Sequence, residues 1–159
     1  MPNLGGPSGR TRKLYANIVN SIALYGAPVW AQALTSNRKA ISVLRKAQRR
    51  MAVRATRAYR TVSHAAATLM ARMPPVELLA NTHAEMYARV AELRARGVLV
   101  TAKERRLISL QLKTDVREEW RAWLERPDCA GQRTVRAILP HFNEWLDRPW
   151  PRASFRTTQ

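Results

Sequence analysis

The chain has 159 residues, enough for one domain with its own core and no covalent staples, and its 46% hydrophobic content excludes a disordered polyelectrolyte. A formal net charge of +17 points to a polyanionic partner, either nucleic acid or an anionic membrane surface. The single cysteine, Cys129, excludes a disulfide framework and a cysteine-built zinc site, so a reducing compartment is the default.

The charge is unevenly placed. Residues 1–76 carry 13 of the Lys and Arg residues and no acid at all. Residues 77–159 carry the other 15 and all 11 acids, a net of +4, with Glu77 the first carboxylate. The sequence therefore divides into an acid-free basic helical segment, 1–76, and a nearly balanced helical segment, 77–159. No apolar run approaches a membrane span, and the start lacks the apolar core of a signal peptide. Its acid-free, Arg- and Ser-bearing composition has something of an organellar transit peptide. The acid-free run, however, extends past residue 70 and carries a core-like apolar period. The expected location is nuclear or cytoplasmic, and in any case intracellular.

Taken in order, residues 1–9 are rich in Gly, Pro and Ser and read as a loop. From about Arg10 to Tyr25, Leu14, Tyr15, Ile18, Val19, Ile22 and Tyr25 recur at helical spacing, with Asn17, Asn20 and Ser21 opposite them. Gly26-Ala27-Pro28 then weakens or kinks that helix. Trp30 fits the core, with base stacking as its other use.

The stretch from Ser36 to Arg60 comes next and dominates the chain. At 100° per residue, Ile41, Leu44, Met51, Ala52, Ala55 and Tyr59 fall on one arc, with Gln48 among them. Arg45, Lys46, Arg49, Arg50, Arg54 and Arg57 occupy the rest of the circumference, joined by Arg38 and Lys39. Ser36 stands at the expected N-cap. Solvated helix faces usually mix signs for i,i+4 pairing, whereas no carboxylate occurs in this stretch. It reads as a rigid helix with a core side and a cationic side for a polyanion.

Ser63 is the expected cap of a short Ala-rich helix to about Arg72, with His64 as a polar surface residue in its first turn. Met73-Pro74-Pro75 breaks the chain, and Pro75 suits the start of a helix to about Arg96 with Leu78, Leu79, Met86, Tyr87, Val90 and Leu93 inward. Gly97 is its expected stop. Thr101 and Glu104 have the spacing of a capping box, opening a helix to about Glu125 that carries Leu107, Leu110, Val116, Trp120, Trp123 and Leu124. Pro127 stops it. A last helical element, Gln132 to Arg148, breaks before Pro140, and the tail 149–159 is unpatterned. No stretch alternates as a strand does. The fold class is all-α: five to six helices in a loose bundle, with no sheet.

Several chemistries are missing from the pattern. His64, His83 and His141 show no metal-ligand spacing, and there is no P-loop, dinucleotide fingerprint or nucleophile elbow. Asp115, Glu118 and Glu119 stand beside Arg117 and Arg121 as on a solvated face. The sequence calls for no catalytic residue, metal or cofactor.

The order of blocks resembles a known family. Leu24-Tyr25-Gly26-Ala27-Pro28-Val29-Trp30-Ala31, followed by a basic helix ending Ala58-Tyr59-Arg60-Thr61-Val62-Ser63, is similar to non-LTR (LINE-type) retrotransposon reverse transcriptases. Pro74-Pro75 with Leu78-Leu79, the pair Trp120 and Trp123, and the stretch from Gly131 to Arg148 resemble the segments that follow in that family. Arg133 departs from it, standing where an aromatic residue is usual. The resemblance covers the thumb and the region beyond, and implies a fragment: the family's palm, with its Tyr/Phe-Ala-Asp-Asp motif, has no counterpart here. It implies a thumb's role in a parent RNA-directed DNA polymerase, gripping RNA–DNA or DNA duplex backbone. The residues expected on nucleic acid are Arg38, Lys39, Arg45, Lys46, Arg49, Arg50, Arg54, Arg57 and Arg60. An independent basic helical RNA-binding protein, or a retroelement remnant without function, fits the composition as well.

Overall fold

The computed structural model of the chain describes residues 7–148. The first six residues of the expected opening loop, and the tail 149–159, lie outside them. Among the described residues the protein is all-helical: α1 (Gly9–Ala23), α2 (Ala27–Ser36), α3 (Arg38–Thr56), α4 (His64–Ala71), α5 (Val76–Ala95), α6 (Ala102–Glu125), α7 (Gln132–Ile138), a 3-10 turn (Leu139–His141) and α8 (Phe142–Asp147). The number exceeds the five to six expected, for two local reasons. Gly26 adopts a left-handed conformation with φ 69°, which turns the chain fully before Ala27, and Pro28 sits in the first turn of a new helix where its missing N–H costs nothing. Pro140 tightens the last element into a 3-10 turn and so divides it in two.

Most boundaries follow from caps. Ser8 accepts from the Thr11 amide, Ser63 from the Ala66 amide, and Thr101 and Glu104 close a reciprocal capping box. The basic helix starts one residue later than expected. Asn37, not Ser36, caps α3 by accepting from the Ala40 amide at 3.0 Å. Ser36 instead donates back to the Ala33 carbonyl and closes α2, a local bond for which serine hydroxyls are well suited.

The core centres on α4, where Ala65, Ala66, Ala67, Thr68, Leu69 and Ala71 are all buried. A helix apolar all round is one surrounded by others. On one side Ala65 and Leu69 join Trp120 and Leu124 of α6, Val135 of α7 and Phe142 of α8. Trp120 meets Phe142 edge to face at 5.5 Å, and Trp145 donates its indole N–H to the Leu69 carbonyl at 2.9 Å. On the other side Ala67 and Ala71 meet Ala52 of α3 and Ala16 of α1. A third cluster joins Ala27 and Ala31 of α2 to Val76 and Ala80 of α5. Gly131 allows the closest approach: at φ 89°, a Cβ there would stand 2.2 Å from the Ser63 hydroxyl, which donates to the Ala130 carbonyl.

Three packing expectations change. The apolar stripe of α1 faces water rather than the core: Leu14, Tyr15, Ile18, Ile22 and Tyr25 are exposed, Val29 of α2 extends the stripe, and Ala16 alone of α1 is buried. Tyr59 lies beyond the end of α3 and is 66% exposed, because the left-handed Arg57 turns the chain away. Tyr87, Leu107 and Leu110 also face outward, since α6 buries the i,i+4 line Leu112, Val116, Trp120 and Leu124 instead. Truncating Trp120 to Ala is expected to remove about 3–5 kcal/mol of stability, while Tyr59→Ala changes it by no more than about 0.5 kcal/mol. Urea titration of the two variants checks both; comparable losses would place Tyr59 in the core after all.

Candidate nucleic-acid interface

Helix α3 sorts its cations by direction. Gln48, Ala52 and Ala55 mark the buried side. Lys39, Lys46, Arg50 and Arg54 point the other way and are exposed, as are Arg38 at the start of the helix and Arg60 in the loop after it. Lys46, Arg50 and Arg54 are one turn apart, so their stems leave the helix in steps of about 6 Å. None of these six takes part in an ion pair among the described residues. The exposed line is a rigid cationic ridge.

Arg45, Arg49 and Arg57 stand apart from it. Arg45 is half-buried, bonds Glu77 of α5 through Nε at 2.8 Å, and lies over the Trp123 ring at 5.7 Å. Arg49 donates to the carbonyls of Val62 and Arg60 and so pins the loop after α3 onto the helix. Arg57 ends α3 in a left-handed conformation, with a buried Nε that has no partner. The six expected α3 arginine and lysine contacts therefore divide: Lys46, Arg50 and Arg54 are exposed on the ridge, Arg45 and Arg49 hold tertiary bonds, and Arg57 turns away as the left-handed C-cap. Sequence pattern alone did not separate them, because Glu77 and the loop carbonyls come from outside the helix.

The second feature missed in the sequence is the polar centre beneath the ridge. Gln48 is buried, and both ends of its carboxamide are bonded. Its Nε2 donates to the Pro74 carbonyl at 2.7 Å, and its Oε1 accepts from the Val76 amide at 3.1 Å and from His64 Nε2 at 2.9 Å. With the Gln48 nitrogen committed to Pro74, the His64 bond must be donated by the imidazole. His64 is thus not a surface residue; its ring lies edge-on to Trp123 at 6.0 Å. The signal available in sequence was Gln48 itself, a polar residue on an apolar arc that requires partners if buried.

Burial lowers the His64 pKa to about 4, with Glu77 opposing and Arg45 and Arg49 assisting. Burial and then Asp128 push the Cys129 thiol up, away from a reactive thiolate. No group of three or more His, Cys, Asp or Glu among the described residues is placed to hold a metal ion, and none of the described helices is long and apolar enough to cross a membrane. Comparison with protein families, curated proteins and solved structures found no match to this chain.

The His64 pKa sets a pH dependence. A folded value near 4 against an ordinary 6.5 means the unfolded chain takes up the proton first. The contribution is complete above pH 6.5 and is lost as pH falls from there to about 4. Over that window the wild type should lose up to about 3 kcal/mol more than a His64→Gln variant. Urea midpoints at neutral pH and at the bottom of the window measure the difference; identical pH slopes would show that the ring is not held neutral.

Proposed function

We propose that the chain binds nucleic-acid backbone without regard to sequence, through the α3 ridge, as a thumb-like segment of a retroelement reverse transcriptase. The ridge is the observation that carries this reading. A polymerase grip must follow a duplex as it slides, and cations on a rigid helix do so through phosphate contacts and counterion release. A carboxylate along that surface would repel the strand; residues 1–76 have none, and Asp128 stands at its flank beside Arg38 and Lys46. The outward apolar stripe of α1 supports the reading of a segment within a larger polymerase, since such stripes usually pack against a neighbour. The resemblance in the blocks from Leu24 to Ala31 and from Ala58 to Ser63 supplies the family. The chain contributes grip and no catalytic aspartates.

If Arg38, Lys39, Lys46, Arg50, Arg54 and Arg60 neutralise about six phosphates, log affinity for duplex should fall against log salt with a slope of roughly −5. Arg50→Gln or Arg54→Gln should each weaken binding to all sequences alike and reduce the slope by about 1. These two positions are the informative ones, because Arg45 and Arg49 also hold the fold together. Unchanged slopes in both variants, with circular dichroism intact, would reduce the ridge to an ordinary solvated surface. A second measurement concerns catalysis: the purified chain should extend no primed template with Mg²⁺ or Mn²⁺ and nucleotides. Template-dependent extension that survives controls for contaminating polymerase would refute the assigned role.

A further inference from the structure

Beside the ridge, α1 and the C-terminal half of α3 enclose an open groove of about 800 Å³. Its walls carry Arg12 and Tyr15 from α1, Arg50 and Arg54 from α3, and Arg60 from the loop beyond, and no carboxylate lines it. Arg12 is partly buried, and its Nε is fully covered without a hydrogen-bond partner. Arg12 on one side and Arg50, Arg54 and Arg60 on the other put guanidinium donors along both sides of the space. On the α1 wall, beside Arg12, Tyr15 is 62% exposed and lines the space.

The ridge and the groove suit different ligands. A duplex turns its phosphates outward and keeps its bases stacked inside, so it can use a convex cationic line but has no base face to offer a tyrosine ring. An unpaired nucleotide offers both a phosphate and a free base face. We infer that the α1–α3 groove is a binding site for unpaired nucleotides of a single strand, with a backbone phosphate held among the lining arginines Arg12, Arg50, Arg54 and Arg60 and a base stacked on Tyr15. This site rests on the reading of the chain as a nucleic-acid binder and adds a second ligand form to it: a duplex on the ridge, with an adjoining single strand in the groove. Arg50 and Arg54 stand on the border of both, so one nucleic acid with a duplex-to-single-strand junction can occupy the two together.

The test is fluorescence anisotropy on the full chain with four probes: a short oligothymidylate, an oligouridylate of the same length, a blunt duplex, and inorganic polyphosphate as a base-free competitor. Tyr15→Leu should weaken both single strands by about 10-fold and leave the duplex and polyphosphate within about two-fold, whereas Tyr15→Phe should keep wild-type affinity. Arg12→Gln should weaken single strands and polyphosphate together. Because Tyr15 is exposed, circular dichroism of its variants should match the wild type. As a check that needs no variant, an iodouracil-substituted strand irradiated on the wild-type protein should crosslink to Tyr15. Single-strand binding that ignores Tyr15→Leu, an equal loss for all four probes, or crosslinks confined to α3 would overturn the groove. Duplex binding that persists beside such a result would leave the ridge standing. Single-strand binding that depends on Tyr15 without any duplex binding would instead remove the ridge and keep the groove.

Discussion

The position of every cation on α3 depends on one buried carboxamide. Gln48 joins α3 to the start of α4 through His64 and to the turn before α5 through Pro74 and Val76. A buried amide left unpaired costs roughly 1–3 kcal/mol, so its bonds hold in only one rotation of α3 about its axis. Each is made in a different direction, and a small roll of the helix breaks at least one. The ridge is directional because its opposite side is locked. Arg45 and Arg49 reinforce the lock from the flank, through Glu77 and the loop carbonyls.

The two halves of the chain treat charge differently. Along α5 and α6 three arginines find an acid one turn away: Arg89 with Glu85, Arg96 at the end of α5 with Glu92, and Arg121 with Glu125. Arg117 reaches Asp147 by two bonds and fixes α8 against α6. Such exposed pairs add little to stability, but they leave a surface of mixed sign. Beside α3, Glu77 is taken by Arg45, and Asp128 borders the flank of Arg38, Arg45 and Lys46 without an ion pair to them among the described residues. The cationic field is concentrated on α3 and the groove beside it by the absence of partners as much as by the number of arginines.

Much of this architecture was legible in the sequence because its signals are local. The capping box at Thr101 and Glu104, the serine cap at Ser63, the breaks at Met73-Pro74-Pro75 and Pro127, and the stripe that carries Val116, Trp120 and Leu124 are read within one or two turns of chain. What failed was what distance decides. Periodicity shows that α1 has an apolar side but not that a neighbour covers it, and here the stripe of Leu14, Ile18 and Ile22 is left open. His64 looked like a surface residue because its partners, Gln48 and Trp123, lie in other helices. Pro28 reads equally as a kink or as a first helical turn; only the left-handed Gly26 before it decides. The groove combines Arg12 and Tyr15 of α1 with residues of α3, and no single wheel displays it.

The seam that holds α1 in place is made of the smallest apolar side chains. Ala16 meets Ala52, Ala67 and Ala71, with Met73 the only large residue in the cluster. Methyl groups allow two helices to approach closely but remove little area from water, and the energy of attachment scales with that area. The large side chains of α1, which would anchor it, point outward. α1 therefore rests on α3 over a small buried area, whereas α4 is tied to α6, α7 and α8 by the larger side chains of the tryptophan cluster. The spacing between α1 and α3, and with it the width of the groove, is set by methyl contacts rather than by interlocked large side chains.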